Sequence, residues 1–100
     1  MLGLFVYGTL RDENKRFELT GKKEITTPGI LHGFIMDVII QDNHEYPIII
    51  ETGNMNDKII GEVVPVDTND LRILDDYEGV DYIRRLVLLS DGTKAWVYTK

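Results

Sequence analysis

A chain of 100 residues fits one domain, and we expect a single domain over residues 1–100. The formal charge of −6 disfavours a nucleic-acid partner, and the absence of cysteine excludes thiol catalysis, thiolate metal sites and disulfides. Because the N-terminus lacks a secretory leader pattern and no apolar run could cross a bilayer, we expect a cytoplasmic protein without a membrane partner.

The first predicted elements are a buried strand and a short helix. Leu2–Tyr7 is apolar and contains β-branched and aromatic residues, which is typical of a strand. Thr9 and Asp12 have the spacing of a capping box, so we predict that Thr9 caps a helix running to about Leu19. Gly21 then follows as a plausible stop for this helix.

The middle of the chain is predicted to be rich in strands. Within the first strand region, Pro28-Gly29 and Gly33 are interpreted as turns or bulges. Asp42-Asn43-His44 is interpreted as a turn, and residues 52–58 as a loop. The predicted strand regions are Glu24–Ile40, Tyr46–Glu51 and Ile59–Val66.

A second helix is predicted over Asp67–Tyr77. Either Asp67 or Thr68 can cap its N-terminus, and Gly79 stands where a glycine commonly ends a helix. Its apolar residues recur on one face, which indicates packing against the sheet.

The last predicted element is a hairpin, with strands Tyr82–Leu89 and Lys94–Thr99 around a two-residue turn signal, Asp91-Gly92. Strands therefore dominate the chain, and most of them follow one another directly. We predict an α+β fold, a curved and mostly antiparallel sheet or small β-barrel with two short flanking helices.

The junction Tyr7-Gly8-Thr9-Leu10 is the first candidate binding site. A glycine lets the backbone approach a ligand closely, and the first amides of a helix lack partners within the helix. Such amides suit a carboxylate or an oxyanion. The alternative is a strand that ends at a glycine before a capped helix and binds nothing.

Glu78 is the second candidate, because it lies at the C-terminal end of the predicted helix. The helix carbonyls, the nearby Asp75, Asp76 and Asp81, and burial in an apolar pocket would all raise its carboxyl pKa. A raised pKa suits general acid/base chemistry near neutral pH. The alternative is a solvated acidic helix end.

Other functional readings are weaker. His32 and His44 are isolated and lack a metal-ligand spacing, so we expect no metal site. The only serine, Ser90, lies in the predicted hairpin turn, and no nucleotide-binding glycine motif is present.

Several of these segments together resemble the gamma-glutamyl cyclotransferase-like proteins, most closely the gamma-glutamylamine cyclotransferase branch. The resemblance rests on six segments in the family's order: Tyr7–Arg11, Tyr46-Pro47, Gly61–Val63, Leu74–Gly79, Tyr82–Arg84 and Ala95–Tyr98. It implies a small β-barrel with flanking helices.

The resemblance also implies a reaction in which a gamma-glutamyl amide is attacked by its own α-amine, giving 5-oxoproline and a free amine. By analogy, Glu78 is the acid/base and Tyr7, Gly8, Thr9 and Leu10 hold the substrate. No metal or organic cofactor is implied. The roles of Tyr82 and Tyr98, the leaving amine and the oligomeric state stay open.

Three functional hypotheses follow from the sequence. The leading one is a gamma-glutamyl cyclotransferase-type enzyme acting on a small gamma-glutamyl compound. The second is a non-catalytic module of the same fold that binds a small carboxylate. The third is a structural interaction domain, in which Glu78 would be solvated and far from the Tyr7–Leu10 loop.

Overall fold

Ten short elements make up the chain in the computed structural model, which describes residues 2–100. The seven strands are β1 (Gly3–Val6), β2 (Thr27–His32), β3 (Phe34–Gln41), β4 (His44–Glu51), β5 (Lys58–Pro65), β6 (Ile83–Leu88) and β7 (Lys94–Thr99). The helical elements are a 3-10 helix (Thr9–Arg11), α1 (Glu13–Thr20) and α2 (Thr68–Glu78).

The strands form two sheets. A five-stranded sheet has the order β2-β5-β1-β7-β6, and β3 pairs with β4 in a separate two-stranded sheet. All pairings are antiparallel except that of β1 with β7, which is parallel. The α+β class, the dominance of antiparallel strands and the two short helices are confirmed. The predicted barrel is not closed, because β2 and β6 remain as edges of the larger sheet.

The larger sheet is covered on both faces, with β1 at its centre. On one face, Leu4 and Val6 pack with Leu74 of α2. On the other face, Phe5 packs with Phe34 and Ile49 of the two-stranded sheet, so the layers run helices, sheet, sheet. Burial on both faces explains why the first strand is apolar at consecutive positions rather than at alternate ones.

The first helix differs from the prediction. Thr9 begins a single 3-10 turn, and the backbone of Asp12 is extended, so the predicted helix from Thr9 to about Leu19 is broken. The side chain of Asp12 accepts a hydrogen bond from the Asn14 amide and caps α1. Gly21 ends α1 in the left-handed conformation, with a φ of 74°, as predicted.

The second helix agrees with the prediction to within a residue. Asp67, rather than Thr68, is the cap, and its carboxylate accepts a hydrogen bond from the Asp70 amide at 2.8 Å. Asp70 in turn accepts from the Asp67 amide, which completes a capping box. Gly79 ends the helix with a φ of 74°, so Glu78 is the last helical residue.

Two of the predicted turns need correction. Pro28-Gly29 lies inside β2, where proline is tolerated because β2 is an edge strand. The β6–β7 hairpin forms around Asp91-Gly92, but its loop spans residues 89–93 instead of two residues. By contrast, Asp42 and Asn43 alone connect β3 to β4, both with positive φ, as in a tight hairpin turn.

Neither helix has the length and apolar character needed to span a lipid bilayer, over residues 2–100. Within the same residues, no cluster of three or more His, Asp or Glu side chains is placed to hold a metal ion. His32 donates from Nδ1 to the Met55 carbonyl at 2.9 Å, which gives this residue a structural contact.

A pair of directly opposed glycines gives a test of this packing. A Cβ on Gly61 would lie 2.4 Å from the Val6 carbonyl oxygen and 2.8 Å from the Phe5 ring, whereas a Cβ on Gly29 would come no closer than 3.1 Å to a side chain. Overpacking against backbone cannot relax easily, so we expect Gly61→Ala to cost about 2–3 kcal/mol in the free energy of unfolding. Gly29→Ala, the matched control, should cost clearly less in the same urea titrations. Equal losses in the two variants would contradict this account of β1.

Candidate active site

A cleft lies where β1 ends, between α2 and β4. Its volume is about 300 Å³, including the part open to solvent. All five of the predicted site residues, Tyr7, Gly8, Thr9, Leu10 and Glu78, line it. The other lining residues are Phe5, Val6, Pro47, Tyr82 and Tyr98. The two stretches singled out in the sequence, almost seventy positions apart, therefore meet across one cleft.

Glu78 is the only charged residue lining this cleft among the described residues. It is half-buried, and burial raises the pKa of its carboxyl from 4.5 to about 7. No group in residues 2–100 donates a hydrogen bond to the carboxylate, so nothing offsets the loss of solvation. At neutral pH, the protonated and ionised forms are both populated.

The expected influence of neighbouring aspartates on Glu78 is not seen, since burial alone raises its pKa. Asp75 instead pairs with Arg84, whose Nε lies 2.9 Å from Asp75 Oδ1. Asp81 accepts a hydrogen bond from the Gln41 side chain. These partners engage two of the three nearby carboxylates.

The opposite wall is the 3-10 turn that begins at Thr9. The carbonyls of Gly8 and Thr9 accept hydrogen bonds from the amides of Arg11 and Asp12, at 3.0 and 3.2 Å. Because the N–H and C=O of a trans peptide group point in opposite directions, the amides of Thr9 and Leu10 point away from the turn. Within residues 2–100 no acceptor engages these two amides. Since both residues line the cleft, their amides are the candidate donors to a ligand group there.

Gly8 is needed for a reason that the sequence did not reveal. Its φ is −123°, so a left-handed backbone is not what requires glycine. A Cβ at this position would lie 2.6 Å from Cγ of Pro47, which is on β4. The missing side chain thus lets the loop pack directly against Pro47 on the neighbouring wall of the cleft.

Three tyrosines complete the walls. The Tyr7 hydroxyl donates to the Tyr98 carbonyl at 2.6 Å, and the Tyr82 hydroxyl donates to the Pro47 carbonyl at 2.8 Å. The Tyr98 hydroxyl donates to Asp75 Oδ1 at 2.7 Å. Burial raises the pKa of all three phenols, that of Tyr82 to about 12, so they stay neutral near pH 7. Their bonds fix the shape of the cleft.

A second hollow, of about 430 Å³ including the part open to solvent, lies beside the cleft. It shares Thr9, Glu78 and Tyr82 with the cleft. Its other walls are Gln41, Tyr46 and Tyr77. Glu78 therefore lines both hollows, one of which is also lined by Thr9 and Leu10 and the other by two further phenol rings.

Comparison with known proteins decides the family. Residues 4–100 match the protein family described as gamma-glutamyl cyclotransferase, AIG2-like. The chain belongs to this family. No curated protein sequence matches it.

Solved structures related to this AIG2-like chain have the same fold. An Arabidopsis thaliana protein is 25% identical with a TM-score of 0.76, and the match covers 98% of this chain and 61% of that one. An AIG2-like protein from Mus musculus is also 25% identical, with a TM-score of 0.72 and coverage of 100% and 77%. A structure described as gamma-glutamyl cyclotransferase is 18% identical, with a TM-score of 0.76 and coverage of 98% and 65%.

The AIG2-like chain described here thus spans about two thirds of the length of several solved relatives. The resemblance to gamma-glutamyl cyclotransferases read from the six sequence segments is confirmed at the level of the family. The gamma-glutamylamine cyclotransferase branch stays a prediction from the sequence.

Proposed function

We propose that this protein is a gamma-glutamyl cyclotransferase-type enzyme, which converts a small gamma-glutamyl amine or peptide to 5-oxoproline and a free amine. One observation carries the proposal: a half-buried carboxyl whose pKa is near 7 faces a loop with free amides across a single cleft. Membership of the family makes a small-molecule substrate the natural expectation.

The first chemical step is removal of a proton from the substrate. The α-amine of a gamma-glutamyl compound is an ammonium near neutral pH, so it must lose a proton before it can act as a nucleophile. The Glu78 carboxylate takes this proton and becomes a carboxylic acid. A carboxyl with a pKa of about 7 suits both halves of this exchange better than one with an ordinary pKa near 4.5.

Cyclisation follows within the substrate itself. The free amine attacks the γ-carbonyl carbon and forms the new C–N bond of the five-membered ring. The amide C–N bond then breaks, and the Glu78 acid donates its proton to the leaving nitrogen. The second proton that the ring nitrogen must lose passes to the released amine, which departs as an ammonium ion. Water is not consumed, and Glu78 returns to its ionised form. Because the nucleophile is part of the substrate, the protein mainly has to hold a folded conformer.

The amides of Thr9 and Leu10 stabilise negative charge on the substrate. They are neutral donors without partners in the described residues, so they can bind the substrate carboxylate or the oxyanion of the tetrahedral intermediate. The hollow formed by Gln41, Tyr46 and Tyr77 is also lined by Glu78, and we place the leaving amine there.

The pH dependence of kcat/KM tests the assignment of Glu78 as the base. Since the ionised carboxylate is the active form, kcat/KM should fall about tenfold per pH unit below about pH 7 and level off above it. The profile is measured from about pH 5.5 to 8, where the substrate amine remains an ammonium. A flat profile across this range would be incompatible with Glu78 as the base.

A substrate panel separates the enzyme from the carboxylate-binding module. Release of 5-oxoproline is followed for gamma-glutamyl amines, gamma-glutamyl amino acids and gamma-glutamyl peptides, and 5-oxoproline binding is measured by calorimetry. Turnover of one class supports the enzyme. Binding of 5-oxoproline without turnover of any class would favour the module. If the protein neither binds 5-oxoproline nor turns over any substrate, both the enzyme and the module are contradicted.

A further inference from the structure

Arg16 is a buried arginine with an unusual set of partners. It lies on α1, and only 6% of it is exposed. Its Nη1 donates to the Leu10 carbonyl at 2.7 Å and to the Arg11 carbonyl at 2.9 Å. Both acceptors belong to the 3-10 turn that carries the free amides of the cleft. One guanidinium nitrogen therefore ties the helix to the loop.

No carboxylate lies within salt-bridge distance of Arg16 among residues 2–100. Its charge acts on Glu62 only at longer range, where it helps to lower the pKa of that carboxyl. A buried cation without a counter-ion is costly unless polar groups replace its hydration. Here the replacements are two carbonyls at the end of a helical turn, where the backbone carries partial negative charge. No backbone amide in the described residues donates to either carbonyl. Arg16 thus supplies the hydrogen-bond donor for both carbonyls, and they supply the acceptors for its buried guanidinium.

The four successive carbonyls of this turn are consequently all engaged. Those of Gly8 and Thr9 accept from backbone amides, and those of Leu10 and Arg11 accept from Arg16. The backbone amide of Arg16 also donates to the Asp12 carbonyl, at 3.1 Å, which fixes the guanidinium-bearing residue against the same segment. The Leu10 and Arg11 carbonyls share peptide planes with the Arg11 and Asp12 amides, so Arg16 orients these two amides. They in turn hold the Gly8 and Thr9 carbonyls, whose peptide planes contain the Thr9 and Leu10 amides.

We propose that Arg16 is a positioning residue, which holds the 3-10 turn so that the amides of Thr9 and Leu10 face the substrate. This inference rests on the function proposed for the cleft. Arg16 does not line the cleft and would not touch the substrate. It acts through the loop backbone, in the way that outer residues orient the groups that make contact.

The first test needs no substrate and uses amide hydrogen exchange by NMR. The variant is Arg16→Met, which keeps the length and apolar stem but removes the donors. The matched control is Lys22→Met, which removes contacts from α1's C-terminal side to Asp67 and Asp70 and leaves the loop alone. We expect the Arg11 and Asp12 amides, which close the turn, to exchange roughly tenfold faster or more in Arg16→Met, after correction for global stability. They should be unchanged in Lys22→Met.

The second test measures kcat and KM of the same variants. We expect Arg16→Met to lower kcat/KM roughly 10–100-fold because the loop amides are misplaced, with the apparent pKa near 7 unchanged since Glu78 is untouched. Arg16→Lys, which restores one donor group, should recover part of the loss and also serves if Arg16→Met does not fold.

The outcomes are distinguishable from failure of the proposed function. If the wild type is inactive on every substrate, the cyclotransferase proposal fails while the exchange data still decide the role of Arg16. Unchanged exchange at Arg11 and Asp12 in Arg16→Met would overturn the positioning role. So would a loss of kcat/KM no greater than that of Lys22→Met.

Discussion

Glu78→Gln is expected to reduce the rate of 5-oxoproline release by roughly 10²–10⁴-fold, the range that a general acid/base usually contributes. Glutamine has the size and shape of glutamate but can neither accept the ammonium proton nor return it to the leaving nitrogen. The substitution therefore removes the proton exchange and leaves the walls of the cleft in place. The rate is measured at saturating substrate near pH 8, where wild-type Glu78 is mostly ionised.

Asp76→Asn is the matched control for this prediction. Asp76 is an exposed carboxylate two positions earlier on α2, and it does not line the cleft. Neutralising it changes the net charge by the same amount, so its activity should stay close to that of the wild type. If the wild type is active and Glu78→Gln keeps its rate, another group moves the proton.

The second large effect concerns stability, and it needs no substrate. The carboxyl pKa of Glu78 is about 7 in the folded protein, compared with the ordinary value of 4.5 expected in the unfolded chain. The folded state therefore binds this proton more tightly than the unfolded chain does. Wild-type stability should therefore fall as pH rises from 4.5 to 7, and the penalty should be complete above pH 7. Glutamine carries no charge, so the free energy of unfolding of Glu78→Gln should gain about 2 kcal/mol over wild type between about pH 5.5 and 8.

Urea unfolding of both proteins at several pH values measures this difference, and Asp76→Asn again serves as the control. The exposed aspartate should give no comparable gain with rising pH. Parallel stability curves for wild type and Glu78→Gln would mean that the carboxyl is solvated in the folded state, which would remove the basis for its acid/base role. A gain in stability combined with a loss of activity would show a group kept for its chemistry at the expense of stability.

The predictions that agree with the structure come from local signals. The end of α2 is marked by Gly79, and its start by Asp67 and Asp70, all within a few residues of the helix. Placement of Glu78 at the C-terminal end of the helix follows from those signals, although the predicted helix ends at Tyr77, one residue before the observed end. The β3–β4 turn is similarly local, because Asp42 and Asn43 tolerate positive φ.

The predicted start of the first helix is wrong because two residues compete as its N-cap. Thr9 and Asp12 are both suitable, and local sequence does not rank them. In the fold, Leu10 is buried in the core between the larger sheet and α2. Arg16 also donates hydrogen bonds to the Leu10 and Arg11 carbonyls. Both features favour a separate turn before Asp12. Those contacts join residues that the pattern assigned to a continuous helix.

Non-local pairing accounts for the other differences. Whether the sheet closes depends on which strands become neighbours, and the central parallel pair joins β1 to β7, some ninety positions apart. The prediction that nearby aspartates raise the pKa of Glu78 fails for the same reason. Asp75 is drawn to Arg84 and Tyr98, a pairing that crosses from α2 to β6 and β7.

The Tyr7–Tyr98 hydrogen bond links positions that are 91 residues apart, and Tyr98 also lines the cleft. During synthesis on the ribosome, the loop emerges first, but the strand that completes its wall emerges almost last. Nascent chains that end before β7 should therefore contain the loop and Glu78 without an assembled binding surface. Ligand affinity would appear only after the final strand has docked, which makes it a late marker of folding.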